Sequence, residues 1–277
     1  MSDVVPRHDV LAGARRLSVW DSPGDVDAPT LVFLHAFGAS GGLWAGTVEA
    51  LGGAARCVAP DLPGWGSSER VEVNRMEVRY TVRDMADATA ALVNALGIER
   101  WALVGHSMGG KAALALAARR PPGLESLVLV APSPPTPEPM GDETRDTLRG
   151  SWGQRVAVEK LLLGVSRVAR APADAAQRVQ VACAVTDHLR ASSGAWDAWL
   201  DHGSREDISD LAARIAVPTL VVAGSDDTAL GADVQRRETV ARIPGARLTV
   251  VADAAHFVPL DAPDALAARI RTHVLGG

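Results

Sequence analysis

Residues 103–111 read Leu103-Val104-Gly105-His106-Ser107-Met108-Gly109-Gly110-Lys111, an apolar run that meets a glycine-flanked serine and then an alanine-rich helical pattern. Gly105, Ser107 and Gly109 spell G-x-S-x-G, the spacing of a nucleophile elbow. The reason for the spacing is steric. A strand must turn sharply into a helix with its middle residue lifted clear, in a strained backbone conformation. Such a turn is tolerated only where the residues two before and two after carry no bulky side chain. Ser107 is thereby expected to present its Oγ at the carboxyl end of a sheet, beside the first free N–H groups of a helix.

The same residues also fit G-x-x-x-x-G-K, a phosphate-binding loop, from Gly105 to Lys111. That motif requires Ser or Thr next, to hold Mg²⁺ through its hydroxyl, and position 112 is Ala. The next apolar run, Leu127 to Val130, leads into Ala131 and Pro132 rather than into a metal-binding Asp. Nucleotide hydrolysis is therefore disfavoured, and Lys111 reads as a solvated residue on the first helical turn.

At 277 residues the chain is long enough for one large α/β domain with an insertion. Its 47% hydrophobic and 22% charged residues are ordinary for a globular protein. A net charge of −5 without any basic cluster gives no electrostatic reason to expect nucleic acid or an anionic membrane as a partner. Cys57 and Cys183 lie in unlike segments and form no C-x-x-C, so both read as buried free thiols. Residues Met1 to Val10 are charged and lack an apolar h-region, and no apolar run approaches the ~20 residues of a membrane span. These features predict a soluble cytoplasmic protein and leave its oligomeric state open.

Outward from the elbow, short apolar runs alternate with helical patterns. Strands are predicted at 15–20, 30–34, 55–60, 101–104, 124–130, 219–223 and 247–251, with Ala12-Gly13 as a hairpin turn before the first. Helical spacing marks 43–51, 80–96 (closed by Gly97), 111–118, 232–243 and 264–274. Between Pro132 and Asp207 the strand-like runs vanish. Helical patterns remain near 143–149, 154–165, 172–189 and 194–202, with Pro172 suited to the first turn of its helix. The alternation predicts an α/β class, a mostly parallel central sheet with helices on both faces. Residues 1–132 and 208–277 are expected to form the core domain, and 133–207 an inserted all-helical cap. Ligands of such sheets bind beyond the carboxyl ends of the strands, where each candidate below falls.

A serine hydroxyl needs a base, and the base needs orienting. Among the seven histidines, His256 stands best, in Ala254-Ala255-His256-Phe257-Val258-Pro259 just past the last strand. His273 is inside the final helix, His188 and His202 fall in the inserted segment, and His8 is near the start. His35 belongs to the oxyanion loop, and His106, locked beside Ser107, is expected to point away. The acid should fall between nucleophile and base in chain order. Gly224-Ser225-Asp226-Asp227-Thr228 follows the preceding strand; Asp227 is favoured, with Asp226 as a turn residue or helix N-cap and Asp253 as a weaker third. Two oxyanion donors are expected, the backbone N–H of Met108 and that of Phe37 in His35-Ala36-Phe37-Gly38. The sequence has no H-E-x-x-H, no paired cysteines and no dinucleotide fingerprint, so neither metal nor cofactor is expected. Trp65, Trp152, Leu161, Trp196 and Trp199 are candidates for an apolar substrate pocket, each equally readable as packing between insert and core.

Taken together, His35-Ala36-Phe37-Gly38, Asp61-Leu-Pro-Gly-Trp-Gly-Ser67, Gly105-His106-Ser107-Met108-Gly109-Gly110, Gly224-Ser-Asp-Asp227 and Asp253-Ala-Ala-His256-Phe257 make the chain similar to the α/β-hydrolase superfamily over essentially its whole length. Members commonly carry an Asp three residues after the glycine ending that strand, which favours Asp227 over Asp226. They usually show His-Gly at the oxyanion loop, where this chain has His35-Ala36. Serine-nucleophile members with a helical lid include carboxylesterases, lactonases, carbon–carbon bond hydrolases and cofactor-free perhydrolases. Haloalkane dehalogenases and epoxide hydrolases of this fold use Asp at the elbow, which Ser107 argues against. The resemblance thus implies a serine hydrolase of small to medium carboxylic esters, working through an acyl-enzyme, with a small ester-like molecule as its partner. Lactone or carbon–carbon hydrolysis, or perhydrolysis, by the same triad is the near alternative. A non-catalytic, receptor-like ligand-binding module is the distant one.

Overall fold

The computed structural model describes residues 7–70 and 80–276. The chain opens with a hairpin, β1 (Arg7–Ala12) and β2 (Arg15–Ser22), turned at Gly13 with φ +62°. It continues through β3 (Thr30–Leu34), α1 (Ala45–Leu51), β4 (Cys57–Pro60), α2 (Val82–Ala95), β5 (Trp101–His106), α3 (Met108–Ala117) and β6 (Leu124–Val130). After a helical segment come β7 (Thr219–Gly224) and β8 (Arg247–Val251). Among the described residues these form one eight-stranded sheet in the order β1-β2-β4-β3-β5-β6-β7-β8. Pairing is antiparallel for β1–β2 and β2–β4 and parallel from β4 onward.

The continuous apolar runs are buried on both faces because helices cover both. Along β3, Val32 and Leu34 pack toward α2 and α3, with Met85, Ala112 and Leu116 in the same cluster. Leu31 and Phe33 point the other way, toward Leu51 of α1 and toward Leu266 and Ile270 of the C-terminal helix at Pro263–Ile270. The helix α2 starts where Thr81 and Asp84 form a reciprocal capping box. The chain steps from β3 to β4 on one side and then to β5 on the other. The carboxyl ends of β3 and β5 therefore flank the switch in strand order, the usual ligand crevice of such a sheet.

Between β6 and β7 the described chain is helical: α4 (Asp142–Ser151), α5 (Arg155–Val165), α6 (Arg167–Arg170), α7 (Ala175–Arg190), α8 (Ser193–Asp201) and α9 (Ser209–Ala212). The expected helix over 172–189 is displaced. Asp174 caps α7 by accepting the Gln177 N–H at 2.8 Å, and Pro172 lies in the connection from α6, not in the first turn. An Asp that satisfies an orphan N–H outweighs proline's preset φ, and Ala171 before the proline is held out of the helical region. The predicted helix over 232–243 forms with a widened turn at Gln235–Thr239. Cys57 is buried, its thiol pushed up to about 12 by burial, whereas Cys183 is exposed on α7, against the expectation for it. No helix among the described residues is long and apolar enough to cross a membrane.

Candidate active site

The strain expected at the elbow is present. Ser107 sits between β5 and α3 with φ 52° and ψ −116°, a conformation that serine adopts only when its surroundings impose it. The surroundings do so by closeness. A Cβ on Gly105 would lie 2.5 Å from the Gly109 carbonyl, and one on Gly109 would lie 2.5 Å from the carbonyls of both Leu34 and His35. The Ser107 N–H is tied to the Val130 carbonyl at 3.0 Å, and its carbonyl accepts the Ser133 N–H at 3.0 Å.

Three loops at the carboxyl edge bring three side chains together. His256 Nε2 lies 2.9 Å from Ser107 Oγ, and His256 Nδ1 lies 2.8 Å from Asp227 Oδ2. The second oxygen, Asp227 Oδ1, accepts the N–H groups of Ala229 and Leu230, each at 2.9 Å. With both carboxylate oxygens fully engaged, Nδ1 must carry the imidazole proton and Nε2 is left as the acceptor facing the serine. Burial opposes a charged His256, but the Asp227 charge and hydrogen bond outweigh it and raise the imidazole pKa above its ordinary value. Burial likewise opposes the Asp227 carboxylate; His256 and the two N–H donors prevail and hold it well below the usual range. Asp226 and Asp253 face outward instead, both paired with Arg167.

The oxyanion candidates occupy the expected backbone positions. Met108 is the first residue of α3, where no helical carbonyl lies behind its N–H. Phe37 is the second residue of a tight turn closed by the Ala39 N–H on the Ala36 carbonyl at 3.1 Å. Gly38 takes the left-handed third position at φ +75°, beneath the His188 ring. Ala36, where the resemblance led us to expect glycine, is not among the positive-φ residues, so alanine follows this path without strain.

Two further histidines buttress the loops rather than titrate. His35 Nε2 accepts the Leu62 N–H at 2.9 Å, which leaves Nδ1 to donate to the Ala36 carbonyl at 2.8 Å. His106 Nε2 donates to the His256 backbone carbonyl at 2.8 Å, fixing that loop from behind. Burial pushes the His106 pKa down to about 3, so it stays neutral across the working range. His106 was readable as pointing away from Ser107; its grip on the His256 loop needed the fold. The same holds for Asp261. It accepts from Ala255 N–H, Ser166 Oγ, and the N–H groups of Arg167 and Val168, stitching the His256 loop to the helical segment.

Lys111 departs from its expected place. It is fully buried, and its Nζ donates to the Thr136 carbonyl at 3.1 Å and the Glu206 carbonyl at 2.5 Å, the entry and exit of the helical segment. Burial lowers its pKa to about 8 despite nearby Glu138, Glu206 and Asp207. The ammonium is held by main-chain oxygens, so the phosphate-loop overlay has no free lysine to offer.

Of the apolar candidates, Trp65 and Trp196 are buried against Phe37, with ring centroids 5.3 and 4.2 Å away, and form a wall beside its turn. Trp199 is buried in the same cluster, its ring over Gly203. Trp152 is 43% exposed and spends its indole N–H on the Ala191 carbonyl. Leu161 is only half-buried; its neighbours Val158 and Leu162 are the α5 residues packed with Ala36 and Phe257. The face of α5 that turns inward was not separable from sequence, because adjacent leucines fill 161–163. Among the described residues no group of three potential metal ligands occurs.

Comparison with known proteins agrees with this architecture. The family model of the alpha/beta hydrolase fold matches residues 29–182, and the chain belongs to that family. A relative from Caulobacter sp. (strain K31) that carries the name carbamate hydrolase RutD is 30% identical over 256 residues, 90% of this chain and 92% of the relative. Another curated match is local, 41% identical over 106 residues that span 37% of that relative's length. The enol-lactonase from Burkholderia xenovorans LB400 superposes with a TM-score of 0.82 at 23% identity, covering 97% of this chain and all of that one. A thermophilic esterase from Thermogutta terrifontis superposes at 0.76 with 25% identity, covering 96% and 97%.

Proposed function

We propose that this hydrolase is a serine esterase that cleaves small to medium carboxylic esters through an acyl-enzyme, with Ser107, His256 and Asp227 as its triad. The observation that carries the reading is the unbroken run of hydrogen bonds from Ser107 Oγ through the imidazole to an Asp227 whose other oxygen is pinned by main-chain N–H groups. Ser107 Oγ attacks the ester carbonyl while His256 Nε2 takes its proton, and Asp227 stabilises the imidazolium that forms. The N–H groups of Met108 and Phe37 receive the developing oxyanion. His256 returns the proton to the leaving alcohol, and water, deprotonated by the same base, releases the acid. The helices between β6 and β7 act as the cap over this edge, and the wall of Trp65, Phe37 and Trp196 sets an apolar side to the pocket. Two free thiols fit a cytoplasmic setting.

The test is hydrolysis of 4-nitrophenyl esters from acetate to dodecanoate beside Ser107→Ala. Turnover that peaks at one chain length and disappears in the variant supports the proposal; equal turnover by the variant defeats it. A carbamate is the second reading, favoured by the name of the Caulobacter relative. 4-Nitrophenyl carbamates in the same assay decide it: cleavage of carbamates faster than of every ester assigns the protein to them.

A further inference from the structure

Nucleophile and acid leave the sheet from different strands, and one side chain ties their surroundings together through the main chain. Gln235 opens the widened turn Gln235–Thr239 and is fully buried. Its Nε2 donates to the Pro132 carbonyl at 2.8 Å and to the Leu230 carbonyl at 3.1 Å. Its Oε1 accepts the Thr239 hydroxyl at 2.8 Å. Carbonyls only accept, so the NH₂ faces Pro132 and Leu230 and the amide has a single orientation. The backbone N–H of Gln235 is fixed too, on the Gly231 carbonyl at 3.0 Å.

Each of the two carbonyls belongs to a segment that grips the triad. The peptide joining Pro132 to Ser133 gives its carbonyl to Gln235 and its N–H to the Ser107 carbonyl at 3.0 Å. It follows Ala131, whose φ of 39° is left-handed and whose N–H is held by the Val222 carbonyl at 2.7 Å. A residue other than glycine keeps such a conformation only where its neighbours impose it. On the other side, Leu230 gives its carbonyl to Gln235 and its N–H to Asp227 Oδ1 at 2.9 Å. One amide thus joins the peptide behind the nucleophile to the residue that pins the acid. Packing alone does not call for it, since a methionine fills the same space without burying an amide.

We propose that Gln235 is a positioning residue of the triad, holding the Asp227 loop against the Ser107 elbow so that His256 spans a fixed gap between them. The inference rests on the reading of Ser107, His256 and Asp227 as a triad and adds a residue that acts on it only through the main chain. His256 reaches Ser107 Oγ at 2.9 Å and Asp227 Oδ2 at 2.8 Å from opposite sides of one rigid ring, so its two bonds are met together only while the loops keep their spacing. Without the amide, the Pro132 and Leu230 carbonyls lose their common donor and the acid loop is free to draw back. Asp227 is buried on the far side of the imidazole from Ser107, out of a substrate's reach, so the loss falls on kcat rather than KM.

Three variants test it. Gln235→Met keeps the length of the side chain and removes its hydrogen bonds. Thr239→Val leaves both N–H bonds and frees only the amide oxygen, and it carries the same measurements where Gln235→Met does not fold. Trp101→Phe, which removes the indole donor to the Pro122 carbonyl at the opposite end of β5, is the control and should lower Tm with kcat unchanged. On a 4-nitrophenyl ester, Gln235→Met should lower kcat about tenfold or more, since a shift of about 1 Å costs about 10²-fold, and leave KM within about twofold. Thr239→Val should lose less in the same way. The acid limb of kcat/KM should move to lower pH in Gln235→Met, because a loosened Asp227 supports the protonated imidazole less. Variants that lower Tm yet keep kcat within about twofold and the acid limb in place overturn the proposal and leave Gln235 a structural residue like the control. The Nδ1 proton between His256 and Asp227, read far downfield by proton NMR, needs no substrate. Its loss or upfield shift in Gln235→Met but not in Trp101→Phe upholds the positioning role even if no ester is cleaved, an outcome that would count against the esterase reading alone. An unchanged resonance defeats the positioning role.

Discussion

Replacing Asp227 by Asn is the most discriminating change available at the triad, because the structure dictates which way the new amide must face. Oδ1 accepts two N–H groups, from Ala229 and Leu230, so the amide oxygen has to remain there. Turning it would set an NH₂ against two donors and forfeit both bonds, at about 1 kcal/mol or more each. The amide NH₂ therefore takes the place of Oδ2 and donates to His256 Nδ1. That nitrogen becomes the acceptor, the ring proton moves to Nε2, and Nε2–H now points at Ser107 Oγ, where it can no longer remove a proton. The variant also lacks the charge that stabilises the imidazolium. A wrong tautomer of this kind in a serine triad is worth about 10⁴ in kcat, or about 5.5 kcal/mol of barrier. Because the change acts on the transition state, kcat should carry the loss and KM should stay within a few-fold. Steady-state hydrolysis of a 4-nitrophenyl ester reads both. Asp226→Asn, one residue away but exposed and paired with Arg167, is the control and should stay within about twofold. A loss below tenfold in Asp227→Asn, or an equal loss in Asp226→Asn, would refute the assignment of the acid.

Other outcomes follow from the same geometry. The protonated imidazole cannot accept from Ser107, and its pKa is raised, so the acid limb of kcat/KM should lie above the ordinary imidazole value of 6.5; Asp227→Asn should move that limb to lower pH. The same sign applies to stability: the stabilisation from charged His256 is present below 6.5 and fades as pH rises through the raised value, so a plain fall in activity on acidification without unfolding separates the two effects. Lys111→Met removes the donor to two half-buried carbonyls at the base of the helical segment, about 1–3 kcal/mol each, and should lower the urea midpoint; an unchanged midpoint would show that the lysine does not clamp the segment. Gly38→Ala forces a left-handed alanine, about 1–2 kcal/mol, and drives a Cβ to 2.3 Å from the His188 ring. It should lower Tm by several degrees and kcat together, since the Phe37 N–H sits in that turn; a variant as stable and active as the parent would contradict the described turn.

Much of the site was legible because its chemistry depends on local rules. A strained serine between two close-packed backbones needs glycine on both sides, and Gly105 and Gly109 stand where a Cβ would collide. An acid and a base that must reach one point have to leave the sheet at its carboxyl edge, which placed Asp227 and His256 in the loops after β7 and β8. Lys111 was misread for an equally physical reason. A lone lysine on a first helical turn is ordinarily solvated, and nothing local shows that two carbonyls 25 and 95 residues away will surround its ammonium. Cys183 failed similarly, since the inward face of a helix in the inserted segment depends on what that segment is laid against.

The amino-acid sequence by itself determined the alternation of strands and helices, the helical character of the stretch after β6, and the choice of Ser107, His256 and Asp227 as the proposed nucleophile, base and acid, because each is a matter of periodicity, backbone sterics or chain order. Only the tertiary structure decided that His106 braces the His256 loop from behind, that Asp261 stitches that loop to the helices, and that Lys111 ties the entry of the helical segment to its exit. Those contacts join segments far apart in the chain, and burial, which turns an ordinary carboxyl or ammonium into a group with a task, is a property of the packed whole rather than of any stretch of it.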